Sequence, residues 1–177
     1  MSHFSTLKNK KSIVDIFAEN PKKYMMSLSM AEEFLREPAS LPAAEREIIA
    51  AYTSYLNECS FCYESHAEFA RSLGVSDDEL LTVMQEQYEN HRLEYVFKYV
   101  KKLTLKPSSL DKSDFDKVIS SGVSEEELKD AIAVCAAFNY FNRIVEGHFL
   151  PNDPNGFKEV AEMIKQFGYD RRRMSNG

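Results

Sequence analysis

Apolar residues recur every three or four positions along most of the chain, and alternating apolar and polar positions are not convincing anywhere. The pattern predicts an all-α protein. Candidate helices run from Ser12 to Glu19, Pro21 to Arg36, Pro42 to Leu56, Glu58 to Leu73, Asp77 to Gln87, His91 to Leu105, Ser113 to Ser120, Glu125 to Phe149 and Phe157 to Phe167. Gly74 and Gly122 fall where helices should end, and each is followed by a candidate capping box, Ser76 with Glu79 and Ser124 with Glu127. The two boundaries read alike, SLGVSDDEL from Ser72 and SSGVSEEEL from Ser120. Capping chemistry alone produces such a connection. A duplicated helix pair is the sharper alternative, and its second copy would lack cysteines, leaving one redox site per chain.

Polar breaks at Lys106–Lys112 and Pro151–Gly156 are too short for flexible interdomain linkers. The chain therefore reads as one helical domain over 1–177, with a core at about 30–150 and a C-terminal helix and tail over 157–177. The C-terminal helix sets Val160, Ile164 and Phe167 on one face, which must cover either its own core or a neighbouring subunit. The helix from Glu125 is apolar on most sides between Ala131 and Val145, so a central position is expected. There Asn139, Asn142 and Arg143 need partners: either Asn142 and Arg143 line a site, or Arg143 pairs with an acidic side chain.

Composition narrows the function. A length of 177 residues suits one sizeable core, and a net charge of −6 argues against nucleic acid as the partner. The basic run Arg171–Arg173 is short and reads as a solvated tail. No run approaches the ~20 apolar residues of a membrane span, and MSHFSTLKNKK lacks the apolar core of a signal peptide. A cytoplasmic protein without membrane association is the expectation. Three cysteines cannot make a disulfide framework there. Cys135, within AIAVCAAF, reads as a small buried apolar residue.

The other two cysteines carry the chemistry. In EIIAAYTSYLNECSFCYESH, from Glu47 to His66, a Cys-x-x-Cys stands at a predicted helix start with a histidine one turn later. Asn57 is a candidate N-cap, which would put Cys59 in the first turn, where free backbone N–H groups and the helix dipole favour a thiolate. Cys62 and His66 are four residues apart on one face, so His66 can reach Cys62. In one continuous helix Glu47 would lie roughly 18 Å from Cys59. If the chain reverses at Asn57, Glu47 and His66 become nearly level and the carboxylate can orient the imidazole. Ala50, Ala51 and Ser54 leave room for another helix, whereas Glu45 points elsewhere. The dipole favours Cys59 as the thiolate and His66 favours Cys62, so the residues alone leave the cysteine order open. Phe61, between the cysteines, is a candidate wall of a thiol pocket.

The spacing of Glu47, Cys59, Cys62 and His66 resembles the alkylhydroperoxidase D branch of the carboxymuconolactone decarboxylase family. FNYFNRIVEG, Phe138 to Gly147, is similar to the Asn-Arg-containing C-terminal helix of its peroxidase-related members. The resemblance covers most of residues 30 to 150. It implies an all-helical protein that reduces hydrogen peroxide or organic hydroperoxides or exchanges disulfides, with an antioxidant role. It further implies that Cys62 is oxidised to sulfenic acid, that Cys59 resolves it as a disulfide, and that His66 and Glu47 form a proton relay. A dithiol or partner disulfide would return the electrons, and assembly into trimers or hexamers is expected. The chain departs from the pattern between the cysteines, where Ser60 and Phe61 supply no second histidine.

Neither cofactor nor metal is expected. No glycine-rich phosphate loop is present to bind a dinucleotide. Zinc would need four ligands, and Cys59, Cys62, His66 and Glu47 could meet it only with awkward closure, while His3, His91 and His148 are scattered. A carboxymuconolactone decarboxylase-type enzyme is an alternative that the cysteine pair disfavours. A non-catalytic redox sensor is another, disfavoured by the built-in relay.

Overall fold

The computed structural model describes residues 2–8, 12–88, 91–152 and 156–169. The Arg171–Arg173 run and the middle of the PNDPNG loop lie outside them. Helices form where the periodicity predicts them: α1 (Ile13–Glu19), α2 (Pro21–Leu35), α3 (Ala43–Leu56), α4 (Ser60–Ser72), α5 (Asp77–Met84), α6 (Glu94–Leu105), α7 (Lys112–Ser120), α8 (Glu125–Gly147) and α9 (Phe157–Phe167). Among the described residues there is no strand, and the all-α expectation holds.

Local chemistry explains the boundaries. Ser12, Asp111 and Ser124 each close a reciprocal capping box at the start of α1, α7 and α8. Gly74 and Gly122, at φ 97° and 93°, take the left-handed conformation that lets the chain leave α4 and α7. At Ser76 only half of the predicted box forms: Ser76 accepts from the Glu79 N–H, while the Glu79 carboxylate pairs with His91 at 3.2 Å.

One predicted boundary is corrected. Asn57 does not begin α4 but closes α3, its N–H reaching Thr53 O at 3.1 Å. Glu58 then adopts a left-handed φ of 57°, and Cys59 becomes the N-cap of α4. The reversal predicted at Asn57 occurs across these three residues, and α3 and α4 pack against each other.

The centre of the molecule is α3. Every residue from Arg46 to Ser54 is buried, and α2, α5, α6 and α8 also pack on this helix. The helix expected at the centre, α8, lies beside it and turns Ala136, Tyr140 and Arg143 to solvent. Ser54 is small enough to admit α8, and its Oγ accepts from the Asn142 amide at 2.9 Å. Asn142 Oδ1 in turn accepts from Asn57 Nδ2 at 2.9 Å. Asn142 thus pins α8 to the α3–α4 turn, while the exposed Arg143 donates to the carbonyl and side chain of Asn139. The buried Arg46 clamps the α2–α3 connection through the carbonyls of Phe34 and Glu37. Cys135 is buried beside Thr104, away from the Cys-x-x-Cys.

The C-terminal helix covers its own chain. Its packing partner is α4, with Phe157 and Ala161 buried. Of the predicted stripe, Val160 and Phe167 remain 38% and 39% exposed.

Candidate active site

The four predicted site residues converge because the α3–α4 reversal brings the middle of one helix level with the middle of the other. Glu47 is 1% exposed and its Oε2 lies 2.7 Å from His66 Nδ1. With Glu47 ionised, Nδ1–H donates to it and Nε2 is left as the nitrogen available to other groups. The ring is held edge-on by Phe138 at 4.4 Å and Phe69 at 4.9 Å between centroids. Glu45 points elsewhere, as the helical period predicted, and pairs with Arg92.

Cys59 and Cys62 are free thiols whose sulfur atoms lie 2.6 Å apart, with Cys59 donating to Cys62. They form a small apolar cluster with Val145, packed by Ile13, Phe61 and Leu150. The expectation that the helix start favours a Cys59 thiolate is overturned. Its hydrogen bond to Cys62, and then burial, push the Cys59 thiol far above its ordinary value, outweighing the Cys62 backbone amide that favours the charged form. Its own backbone N–H is spent on Ser54 O at 3.0 Å. Cys59 is a proton donor here, fully buried, whereas Cys62 borders open space.

That space is a cavity of about 720 Å³ between α1, α2, α4, α8 and α9. Cys62, Ser65, His66 and Tyr169 give it a polar patch, and Phe61, Phe141 and Met163 are among its apolar walls. Phe61 packs edge-on against Phe157 of α9 at 5.2 Å. No lysine or arginine lines it among the described residues, and Asn142 and Arg143 do not reach it. Among the described residues no three His, Cys, Asp or Glu side chains are grouped to hold a metal ion, and no helix is long and apolar enough to cross a membrane.

Sequence reasoning missed one participant. Tyr169, two residues past α9, turns its hydroxyl inward and donates to Glu47 Oε1 at 2.9 Å. Its ring lies nearly parallel to the His66 imidazole, 6.3 Å between centroids. The only signal was an aromatic residue after a glycine, in what reads as a tail.

Residues 22–90, which hold Glu47, Cys59, Cys62 and His66, match the profile of the carboxymuconolactone decarboxylase family. That segment is similar to the family, and the chain has the alkylhydroperoxidase D-like fold. A peroxidase-related protein from Silicibacter sp. TM1040 superposes with a TM-score of 0.73 at 21% identity, over 84% of this chain and 78% of that one. A second peroxidase-related protein, an alkylhydroperoxidase core from Ralstonia eutropha JMP134, gives 0.68 at 19% identity, over 82% and 78%. A debrominase solved in complex with 2,3,4-tribromopyrrole gives 0.69 at 17% identity, over 84% and 81%. No functionally curated protein matches the sequence significantly.

Proposed function

We propose that the protein is a thiol-dependent peroxidase acting on organic hydroperoxides, with Cys62 as the attacking thiol. The observation that carries this reading is that Cys62 and His66 border the same apolar cavity, with His66 fixed by a buried carboxylate at 2.7 Å and Cys62 accepting a hydrogen bond from Cys59. His66 takes the Cys62 proton through Nε2, and the Glu47 carboxylate offsets the positive charge that the ring acquires. The thiolate attacks the distal peroxide oxygen, the O–O bond breaks, and the alkoxide leaves as an alcohol with the proton from His66. Cys62 is then a sulfenic acid. Cys59 attacks its sulfur, forming the Cys59–Cys62 disulfide and releasing water. An external dithiol or a partner protein's thiols reduce that disulfide and are themselves oxidised. The high Cys59 value suits this order, because a thiol that keeps its proton waits until Cys62 has reacted.

The test is mass and free-thiol analysis of the reduced protein before and after one equivalent of cumene hydroperoxide. Loss of two thiols mapped to Cys59 and Cys62, with cumyl alcohol formed, is the expected result. In Cys59→Ser the same treatment should leave a sulfenic acid on Cys62 that a dimedone probe traps. Three intact thiols, or full turnover by Cys62→Ser, would end this reading.

The cavity volume favours one second reading, since about 720 Å³ far exceeds a small peroxide. The same thiol pair could remove bromine from a halogenated aromatic, two thiols and the carbon–bromine bond giving a disulfide, a carbon–hydrogen bond and hydrogen bromide. Bromide release from a brominated pyrrole by the reduced protein, without peroxide turnover, would select it.

A further inference from the structure

The segment that follows α9 does more than end the helix. The Gly168 N–H caps Ile164 O at 2.7 Å, and Gly168 then takes φ 73° and ψ −179°, a conformation open to glycine and strained for L side chains. A Cβ at this position would stand 2.6 Å from both carboxylate oxygens of Glu32. The following Tyr169 N–H donates to Glu32 on α2. Lys165 Nζ holds Ser72 O at the end of α4, and Arg36 holds Lys165 O. Contacts to α2 and α4 therefore aim one hydroxyl at Glu47 Oε1, opposite the oxygen that holds His66.

We propose that Tyr169 is a positioning residue of the thiol-activating relay, supplied by the strap after α9. The proposal rests on the reading of His66 as the acceptor of the Cys62 proton. A carboxylate 1% exposed needs donors on both oxygens. Tyr169 occupies Oε1, so Oε2 stays turned to His66 Nδ1, and the imidazole keeps Nε2 for the cavity. Without the hydroxyl, Oε1 faces packed side chains and the carboxylate rotates in search of a donor. Oε2 then leaves His66, and the ring loses the contact that sets its tautomer and orientation. Burial of the hydroxyl, followed by the Glu47 charge, pushes the Tyr169 phenol well above its ordinary value, so it remains a donor across the working pH range. The same C-terminal segment thus walls the cavity and supplies the hydroxyl that holds Glu47.

The experiment measures the rate at which iodoacetamide alkylates Cys62, read by peptide mass spectrometry, which needs no peroxidase turnover. The variants are Tyr169→Phe, Glu47→Gln, His66→Ala and the double variant Tyr169→Phe/Glu47→Gln. Tyr169→Phe keeps the ring and should slow alkylation about tenfold, the effect of losing one hydrogen bond to a charged group. In the Glu47→Gln background the same change should have almost no further effect. A wild-type rate in Tyr169→Phe would overturn the proposal, as would equal slowing in both backgrounds, since that marks a change in packing. If His66→Ala leaves the rate unchanged, the relay reading and this proposal fall together. If His66→Ala slows it and Tyr169→Phe does not, only the role of Tyr169 falls. Gly168→Ala, which disturbs the strap without touching the hydroxyl, should reproduce the Tyr169→Phe rate.

Discussion

Cys59 and Cys135 are both fully buried, and both hold their protons more tightly than a free thiol does. For Cys59 the cause is first the hydrogen bond to Cys62, for Cys135 it is burial. The sign of the resulting pH dependence is fixed. In the unfolded chain these thiols ionise above roughly pH 8.5, while in the folded chain they stay protonated, so the folded state binds more protons and loses stability as pH rises. The stability is intact below that value and falls by up to about 1.4 kcal/mol per pH unit for each thiol above it. Denaturant unfolding at pH 7, 9 and 10 should show this loss, and Cys135→Ala should flatten it; equal slopes in both proteins would exclude Cys135 as a contributor. At the same scale, Glu47, Cys59, Cys62 and His66 were legible in the sequence because helical period and one chain reversal suffice to bring them together. Tyr169 was not legible, because its contact with Glu47 spans 122 positions and depends on a glycine conformation that no periodicity encodes. The Cys59 thiolate was misjudged for a related reason: helix-end electrostatics can be read from spacing, but burial and the partner of the sulfur cannot.

The α3–α4 turn is the element on which the site depends, and it contains a local conflict. Glu58 sits at φ 57°, where a side chain costs about 1–2 kcal/mol. Glu58→Gly removes that strain but adds freedom to the unfolded chain, so a net gain of about 0.5 kcal/mol is expected, measurable by urea unfolding. A loss of stability would mean that the Glu58 side chain makes a compensating contact. The turn is also held from α8 by Asn142, which bridges Asn57 and Ser54 at 2.9 Å each. Asn142→Ala leaves a buried donor and acceptor short of partners and should cost about 2 kcal/mol. It should also slow closure of the Cys59–Cys62 disulfide after sulfenic acid forms, followed by thiol counting in a quenched time course; unchanged closure would show that the turn holds its shape without the bridge. Helix positions were readable from the apolar period. The start of α4 was not, because Asn57 is an equally good residue to leave a helix as to begin one. Centrality was misassigned to α8 for a similar reason: α3 carries Arg46, Glu47 and Ser54, whose burial is made tolerable by partners outside the helix.

At the scale of the whole molecule, the proposed function turns on a cavity that no single element contains. Its walls come from α1, α2, α4, α8 and α9, and in the sequence they look like ordinary core residues. For the proposed peroxidase, a volume of about 720 Å³ bordered by aromatic rings, with Asp15 but no lysine or arginine among its described lining, favours a bulky substrate without negative charge over hydrogen peroxide. Ala31 offers a way to test this, because it lines the cavity from α2 and stands outside the proposed relay. Ala31→Trp would fill part of the space with a rigid ring. Excluding a few methylene equivalents of substrate, at about 0.8 kcal/mol each, corresponds to a fall in kcat/KM on the order of tenfold or more. The fall should appear for cumene hydroperoxide and be absent for hydrogen peroxide, whose access to Cys62 needs little room. Comparable losses for both peroxides would place the defect in the thiol relay or the fold, and thermal unfolding of the variant separates those two. No loss for either would mean that substrates reach Cys62 without occupying the cavity, and the substrate class would then have to be sought elsewhere on the surface.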